Sequence, residues 1–101
     1  MSVIISGATV LTDSGEQRLD VRIDNGVIAE MSATIKPSGD DVVLNAQGCH
    51  VLPGFVDLHT HLREPGKEDS ETIETGSRAG AKGGYTALVA MPNTTPAQDS
   101  I

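Results

Sequence analysis

At Pro53-Gly54 the hydrophobic pattern of this chain changes period, and no other feature limits the fold as much. Before that point, apolar and polar residues alternate in short runs broken by turn formers. Leu19, Val21 and Ile23 share one face of a strand, with Asp20 and Arg22 on the other. The Asn25-Gly26 pair that follows is a strong hairpin signal, because the favoured two-residue turn needs positive φ at both central positions. Val27–Met31 is the return strand. Val3-Ile4-Ile5 and Thr9-Val10-Leu11 read as strands flanking Gly7, and Val42–Leu44 and Gly48–Leu52 as the last β segments. Residues 1–52 are therefore expected to form a small β-rich, sandwich-like unit.

Beyond Gly54 the pattern is strand, helix, strand. Phe55–Leu62 reads as a strand, Glu64–Asp69 as a loop, Ser70–Lys82 as a helix and Tyr85–Met91 as a second, mostly apolar strand of the buried parallel kind. Asp69 or Ser70 is expected to cap the helix, with Glu71 and Glu74 near its positive end and Gly83-Gly84 stopping it. Ile73, Gly76, Ser77 and Gly80 form a stripe of mostly small side chains suited to close packing on a sheet. Two parallel strands do not close a sheet, so residues 53–101 read as the opening βαβ portion of a larger α/β architecture that is cut short.

Composition narrows the function classes. Aromatic residues are 2% of the chain, Phe55 and Tyr85 alone, so the core must be aliphatic and thin. The net charge of −7 argues against nucleic acid and against an anionic membrane surface, both of which select basic patches. No apolar run approaches the ~20 residues of a membrane helix, and no signal peptide is evident at Met1-Ser2-Val3-Ile4-Ile5. The single Cys49 has no internal disulfide partner, and the simplest expectation is a soluble cytoplasmic protein. Cys49 itself reads as a small packed residue.

The chemistry is concentrated in Phe55-Val56-Asp57-Leu58-His59-Thr60-His61-Leu62-Arg63. Alternation along a strand puts Asp57, His59 and His61 on one face, and Val56, Leu58 and Leu62 on the other, where they can pack beneath a helix. Two imidazoles at i and i+2 can converge on one divalent ion, with Asp57 behind them as a supporting partner. Arg63 is two residues further on, within reach of the same pocket, where a guanidinium would grip a carboxylate bidentately. Asn93, between Pro92 and Pro96, is either an ordinary turn former or an amide that donates to the same carboxylate. His50 stands alone in the β unit and reads as structural or exposed. Lys67, Glu68, Asp69 and Glu71 read as a solvated loop and helix start.

From Pro53 through Arg63 to Gly66, again at Glu74-Thr75-Gly76-Ser77-Arg78-Ala79 and Gly83-Gly84-Tyr85-Thr86, and finally at Met91-Pro92-Asn93-Thr94, the chain resembles the dihydroorotases of the amidohydrolase superfamily. Residues 1–52 match more loosely, as the β-rich segment that precedes the barrel in such enzymes. The resemblance implies a (β/α)₈ TIM barrel with a binuclear zinc site, His59 and His61 as metal ligands, and Arg63 and Asn93 as contacts to the substrate carboxylate. It implies reversible hydrolysis of dihydroorotate to N-carbamoyl-L-aspartate in pyrimidine synthesis. The acid/base aspartate, the bridging ligand and the remaining histidines would come from later strands, beyond Ile101. As partners it allows a homodimer or association with aspartate carbamoyltransferase.

Allantoinase and hydantoinase or dihydropyrimidinase share the fold and ring-opening chemistry, and Arg63 is the residue that favours a ring bearing a carboxylate over them. A non-catalytic scaffold has no physical need of His59, His61, Arg63 and Asn93 together. A barrel needs about 250 residues, so these 101 are expected to bind metal weakly, to turn nothing over, and to aggregate through unpaired strand edges.

Overall fold

The computed structural model describes residues 1–100. The chain divides into two compact units, Met1–Leu52 and a second that begins at Pro53. The first contains β1 (Val3–Thr12), β2 (Gly15–Asp24), β3 (Val27–Ser32), β4 (Val42–Asn45) and β5 (His50–Val51). The second contains β6 (Phe55–Thr60), α1 (Ile73–Lys82) and β7 (Tyr85–Ala90).

The first unit is a five-stranded sheet in the order β3-β2-β1-β4, with β5 also paired to β1. β1 runs antiparallel to β2 and parallel to β4 and β5. The apolar runs on either side of Gly7 are not separate strands. They form one strand interrupted by a bulge, where the register passes from Ile5↔Val21 to Ala8↔Leu19. The expected hairpin is present: Asn25 and Gly26 have φ of 48° and 77°, and Asp24 pairs with Val27. Ala8, Val10 and Val21 form the buried cluster, with Ile5, Leu19, Ile23, Ala46 and Val51 packed against it, so the core is aliphatic and small.

The opposite face of β2 is not left to solvent. Asp20 is buried at 6% exposure. It accepts hydrogen bonds from the bulge, Gly7 N at 2.8 Å and Ser6 Oγ at 3.2 Å, and from Ile35 N at 2.9 Å. These donors stabilise the ionised carboxylate, with the Ile35 and Gly7 N–H groups foremost, and hold its pKa below the usual value against the cost of burial. One position along the same face, Arg22 Nη1 meets Asp41 Oδ2 and Ser2 Oγ, each at 2.7 Å. Asp41 also accepts from Ser2 Oγ at 2.7 Å and from Ser38 N at 3.0 Å. The two carboxylates thus tie the segment at 33–41 to β2 and to the start of β1.

In the second unit β6 and β7 pair in parallel and α1 connects them. The helix begins at Ile73, not at Ser70, and its N-cap is Thr72 rather than Asp69 or Ser70. The reason is a reciprocal pair of bonds. Thr75 N donates to Thr72 Oγ1 at 3.1 Å, and Thr72 N donates to Thr75 Oγ1 at 2.9 Å. Ser70 N and Glu71 N are already used, donating to Lys67 O in a preceding turn. Gly83 closes the other end as expected, its N–H reaching Ala79 O at 3.0 Å.

The stripe of small residues sets the packing of α1. A Cβ on Gly76 would lie 2.8 Å from Leu62 Cδ2, and one on Gly80 would lie 3.2 Å from Leu88 Cδ1. The helix therefore rests on Leu62, just past the end of β6, and on β7. The expectation that Val56, Leu58 and Leu62 all pack beneath it holds for Leu62 alone, since Val56 and Leu58 are 54% and 73% exposed.

Candidate metal and carboxylate site

β6 ends at Thr60, which places His59 within the strand and His61 just past it. Their ring centroids are 5.2 Å apart in an edge-on arrangement, so the i, i+2 spacing does bring two imidazoles together. Asp57 plays a different part from the one expected. Its Oδ1 accepts from His59 N at 3.0 Å and so steadies the backbone rather than a ring.

The parallel register continues one bond past β7, where Met91 N donates to Thr60 O at 2.8 Å. That bond sets the two strand ends level and carries Asn93 beside His61, with His61 Nδ1 2.8 Å from Asn93 Oδ1. The loops that follow are tied to each other as well. Thr95 N donates to Pro65 O at 3.0 Å, and Gly66 lies so close that a Cβ there would sit 2.7 Å from Thr95 O. Gly66 also has φ of 109°, so this approach requires glycine on two counts. Its N–H donates to Glu68 Oε1 at 2.9 Å, which draws the Glu68 carboxyl below its usual range.

Between the loops is a small cavity of about 70 Å³ to which His61, Arg63, Lys67, Met91, Asn93 and Thr94 contribute. It is far smaller than the ~300–1,000 Å³ of a small-molecule pocket, and has room for one functional group of a ligand rather than a whole ring. Arg63 reaches this cavity in the left-handed region, at φ of 66°. Of the four residues singled out in the sequence, His61, Arg63 and Asn93 share the cavity, and His59 stands beside His61 without lining it.

Two imidazole nitrogens suit a borderline cation such as zinc. Among the described residues no group of three or more His, Cys, Asp and Glu side chains gathers around a common point. His50 is exposed, with Nε2 3.8 Å from Glu16 Oε1. Cys49 is exposed as well, not packed as expected.

Sequence reasoning missed two contributors. Glu64, read as part of a loop, accepts from Ile73 N at 2.6 Å through Oε2 and so ties the segment after Arg63 to the start of α1. Lys67, read as solvated, lines the cavity because its N–H donates to Arg63 O at 2.9 Å and folds the loop back. The turn former Pro65-Gly66 between Arg63 and Lys67 was the available signal.

The Dihydro-orotase-like family matches residues 48–101. The dihydroorotase of Bacillus pumilus (strain SAFR-032) is 48% identical over 101 residues, covering 99% of this chain and 23% of that protein. The dihydroorotase of Thermoanaerobacter sp. (strain X514) is 50% identical over the same length, again covering 99% and 23%. Among solved structures, the dihydropyrimidinase from Brevibacillus agri NCHU1002 superposes with a TM-score of 0.76 at 35% identity, covering 91% of this chain and 20% of that one. The chain spans 23% of the length of these curated relatives.

Proposed function

This chain belongs to the dihydro-orotase-like family, and from that premise we propose that its protein hydrolyses dihydroorotate reversibly to N-carbamoyl-L-aspartate in pyrimidine synthesis. The observation that carries the proposal is the cavity that His61, Arg63 and Asn93 share at the end of β6. β6 and β7 are then the first two strands of a (β/α)₈ barrel, and the cavity lies at the C-terminal ends of those strands, where such barrels place their chemistry.

The chain's own residues bind and orient. The Arg63 guanidinium grips the ring carboxylate through two parallel N–H bonds, and the Asn93 amide donates a third. The cavity fits that one group, so the ring itself extends outward over the histidines. His59 and His61 would hold one ion of a binuclear zinc centre. When bound, such a pair of cations supplies Lewis acidity for activating water and polarising a ring carbonyl. The acid/base group is not among these residues.

The proposal includes a cytoplasmic setting and assembly as a homodimer or with aspartate carbamoyltransferase. Among the described residues no helix is long and apolar enough to cross a membrane.

A dihydropyrimidinase or hydantoinase activity is the second reading, favoured by the similarity to the Brevibacillus agri enzyme. Arg63 separates the two, because a ring without a carboxylate would leave its charge unpaired. The test is turnover of dihydroorotate, dihydrouracil and hydantoin by the zinc-loaded protein that carries this chain. Dihydroorotate is expected to be the substrate. Hydantoin or dihydrouracil turnover with none on dihydroorotate would overturn the proposal in favour of the second reading.

A further inference from the structure

The contact between His61 and Asn93 does more than place two site residues side by side. An amide oxygen can only accept a hydrogen bond, so an imidazole nitrogen 2.8 Å from Asn93 Oδ1 must carry the proton. We propose that Asn93 sets the tautomer of His61, holding the proton on Nδ1 so that the Nε2 lone pair is the one offered to a divalent cation. The inference rests on His61 being a metal ligand, and adds to Asn93 a positioning role distinct from any contact with substrate.

Three features make Asn93 suited to this. The first is its fixed position. Met91 N is bonded to Thr60 O, Thr94 N and Gln98 N both donate to Pro92 O, and Thr95 N donates to Pro65 O, so the backbone on each side of Asn93 is held. The second is chemical economy. With Oδ1 engaged by His61, both N–H donors of the same amide stay free for a carboxylate, and one side chain joins the cation-binding residue to the anion-binding cavity. The third is need. A neutral imidazole in water exchanges between tautomers, and the partner on one nitrogen decides which other nitrogen can coordinate. Partners of this kind are worth about 10–100-fold in metal affinity where they have been removed from other proteins. The opposite amide orientation would turn an N–H toward Nδ1 and force the proton to Nε2, so the two arrangements give opposite observations.

The experiment is long-range ¹H–¹⁵N correlation of the histidine rings in the labelled, zinc-free protein that carries this chain. His61 is expected as the Nδ1–H tautomer in the unsubstituted chain. It should revert toward Nε2–H in Asn93→Ala and stay Nδ1–H in Asn93→Asp, whose carboxylate still accepts. Zinc titration followed through the same resonances should show about 10-fold weaker binding for Asn93→Ala and no weakening for Asn93→Asp. A His61 ring that is Nε2–H before any substitution, or whose tautomer is the same in Asn93→Ala, overturns the proposal. Zinc that shifts neither imidazole of the unsubstituted chain overturns the ligand assignment itself, which is a separate failure.

Discussion

Arg63 combines the charge the proposed chemistry needs with a backbone conformation that its side chain disfavours. At φ of 66° an L-residue brings Cβ toward the following carbonyl, at a cost of about 1–2 kcal/mol that glycine avoids. The conformation persists because the residues around it are tied down: Glu64 to the start of α1, Lys67 N to Arg63 O, and Pro65 O to Thr95 N. Two substitutions separate charge from backbone. Arg63→Ala and Arg63→Gly both remove the guanidinium and should both abolish productive carboxylate binding. Arg63→Gly should nevertheless be the more stable of the two by roughly 0.5–1 kcal/mol in urea denaturation, after allowing for the greater freedom of glycine in the unfolded chain. Equal stability would mean that the turn carries no strain. Period-two spacing from His61 pointed to Arg63 in the sequence, but the strand ends at Thr60. The left-handed turn, not strand geometry, is what brings the guanidinium's residue to the cavity.

At the scale of elements, the ends were harder to read than the elements themselves. The Asn25-Gly26 hairpin was legible because both of its residues must adopt positive φ, and few other pairs do so readily. The start of α1 was not, because Asp69, Ser70 and Thr72 are all competent caps within four positions. What decides between them is the residue three places later. Only Thr72 has a partner, Thr75, that returns a bond to its own N–H. Thr72→Ala should therefore cost about 1 kcal/mol and fray the first turn, visible as faster amide exchange from Ile73 to Gly76, while Thr72→Ser should keep most of the stability. Unchanged exchange in Thr72→Ala would show that Glu64, through its bond to Ile73 N, suffices to hold the helix start. The bulge in β1 was missed for a related reason. Gly7 between two apolar runs looks like a break in the sequence, and the carboxylate that makes it a bulge belongs to Asp20 on the neighbouring strand.

For the molecule as a whole, apolar burial is concentrated in one unit. Among the described residues the buried hydrophobic ones are Ile4, Ala8, Val10, Val21 and Ile35, all before Pro53, whereas Phe55, Val56, Leu58, Tyr85 and Val89 are exposed. The site was half legible on the same principle. His59 and His61 are local neighbours that alternation brings together, but Asn93 lies 32 positions from His61 and needed the strand register to place it. Stability in the first unit rests on ionised carboxylates as well as on its small core, which makes it sensitive to acid. Asp20 is held below the ordinary 3.8 by the N–H groups of Ile35 and Gly7. Asp41 is held further below it by the Ser2 hydroxyl, Ser38 N–H and Arg22. A carboxylate whose folded pKa is depressed contributes fully above its unfolded value, and the contribution is lost as pH falls through the folded value. The β-rich unit should therefore be near its most stable at neutral pH and weaken progressively below 3.8. Asp20→Asn removes the ionised acceptor at every pH, so its urea midpoint should lie well below that of the unsubstituted chain at neutral pH and approach it as the solution is acidified. A gap that stayed constant across that range would mean Asp20 titrates alike in the folded and unfolded chain. The bonds that Asp20 accepts from Gly7, Ser6 and Ile35 would then favour neither charge state of its carboxyl.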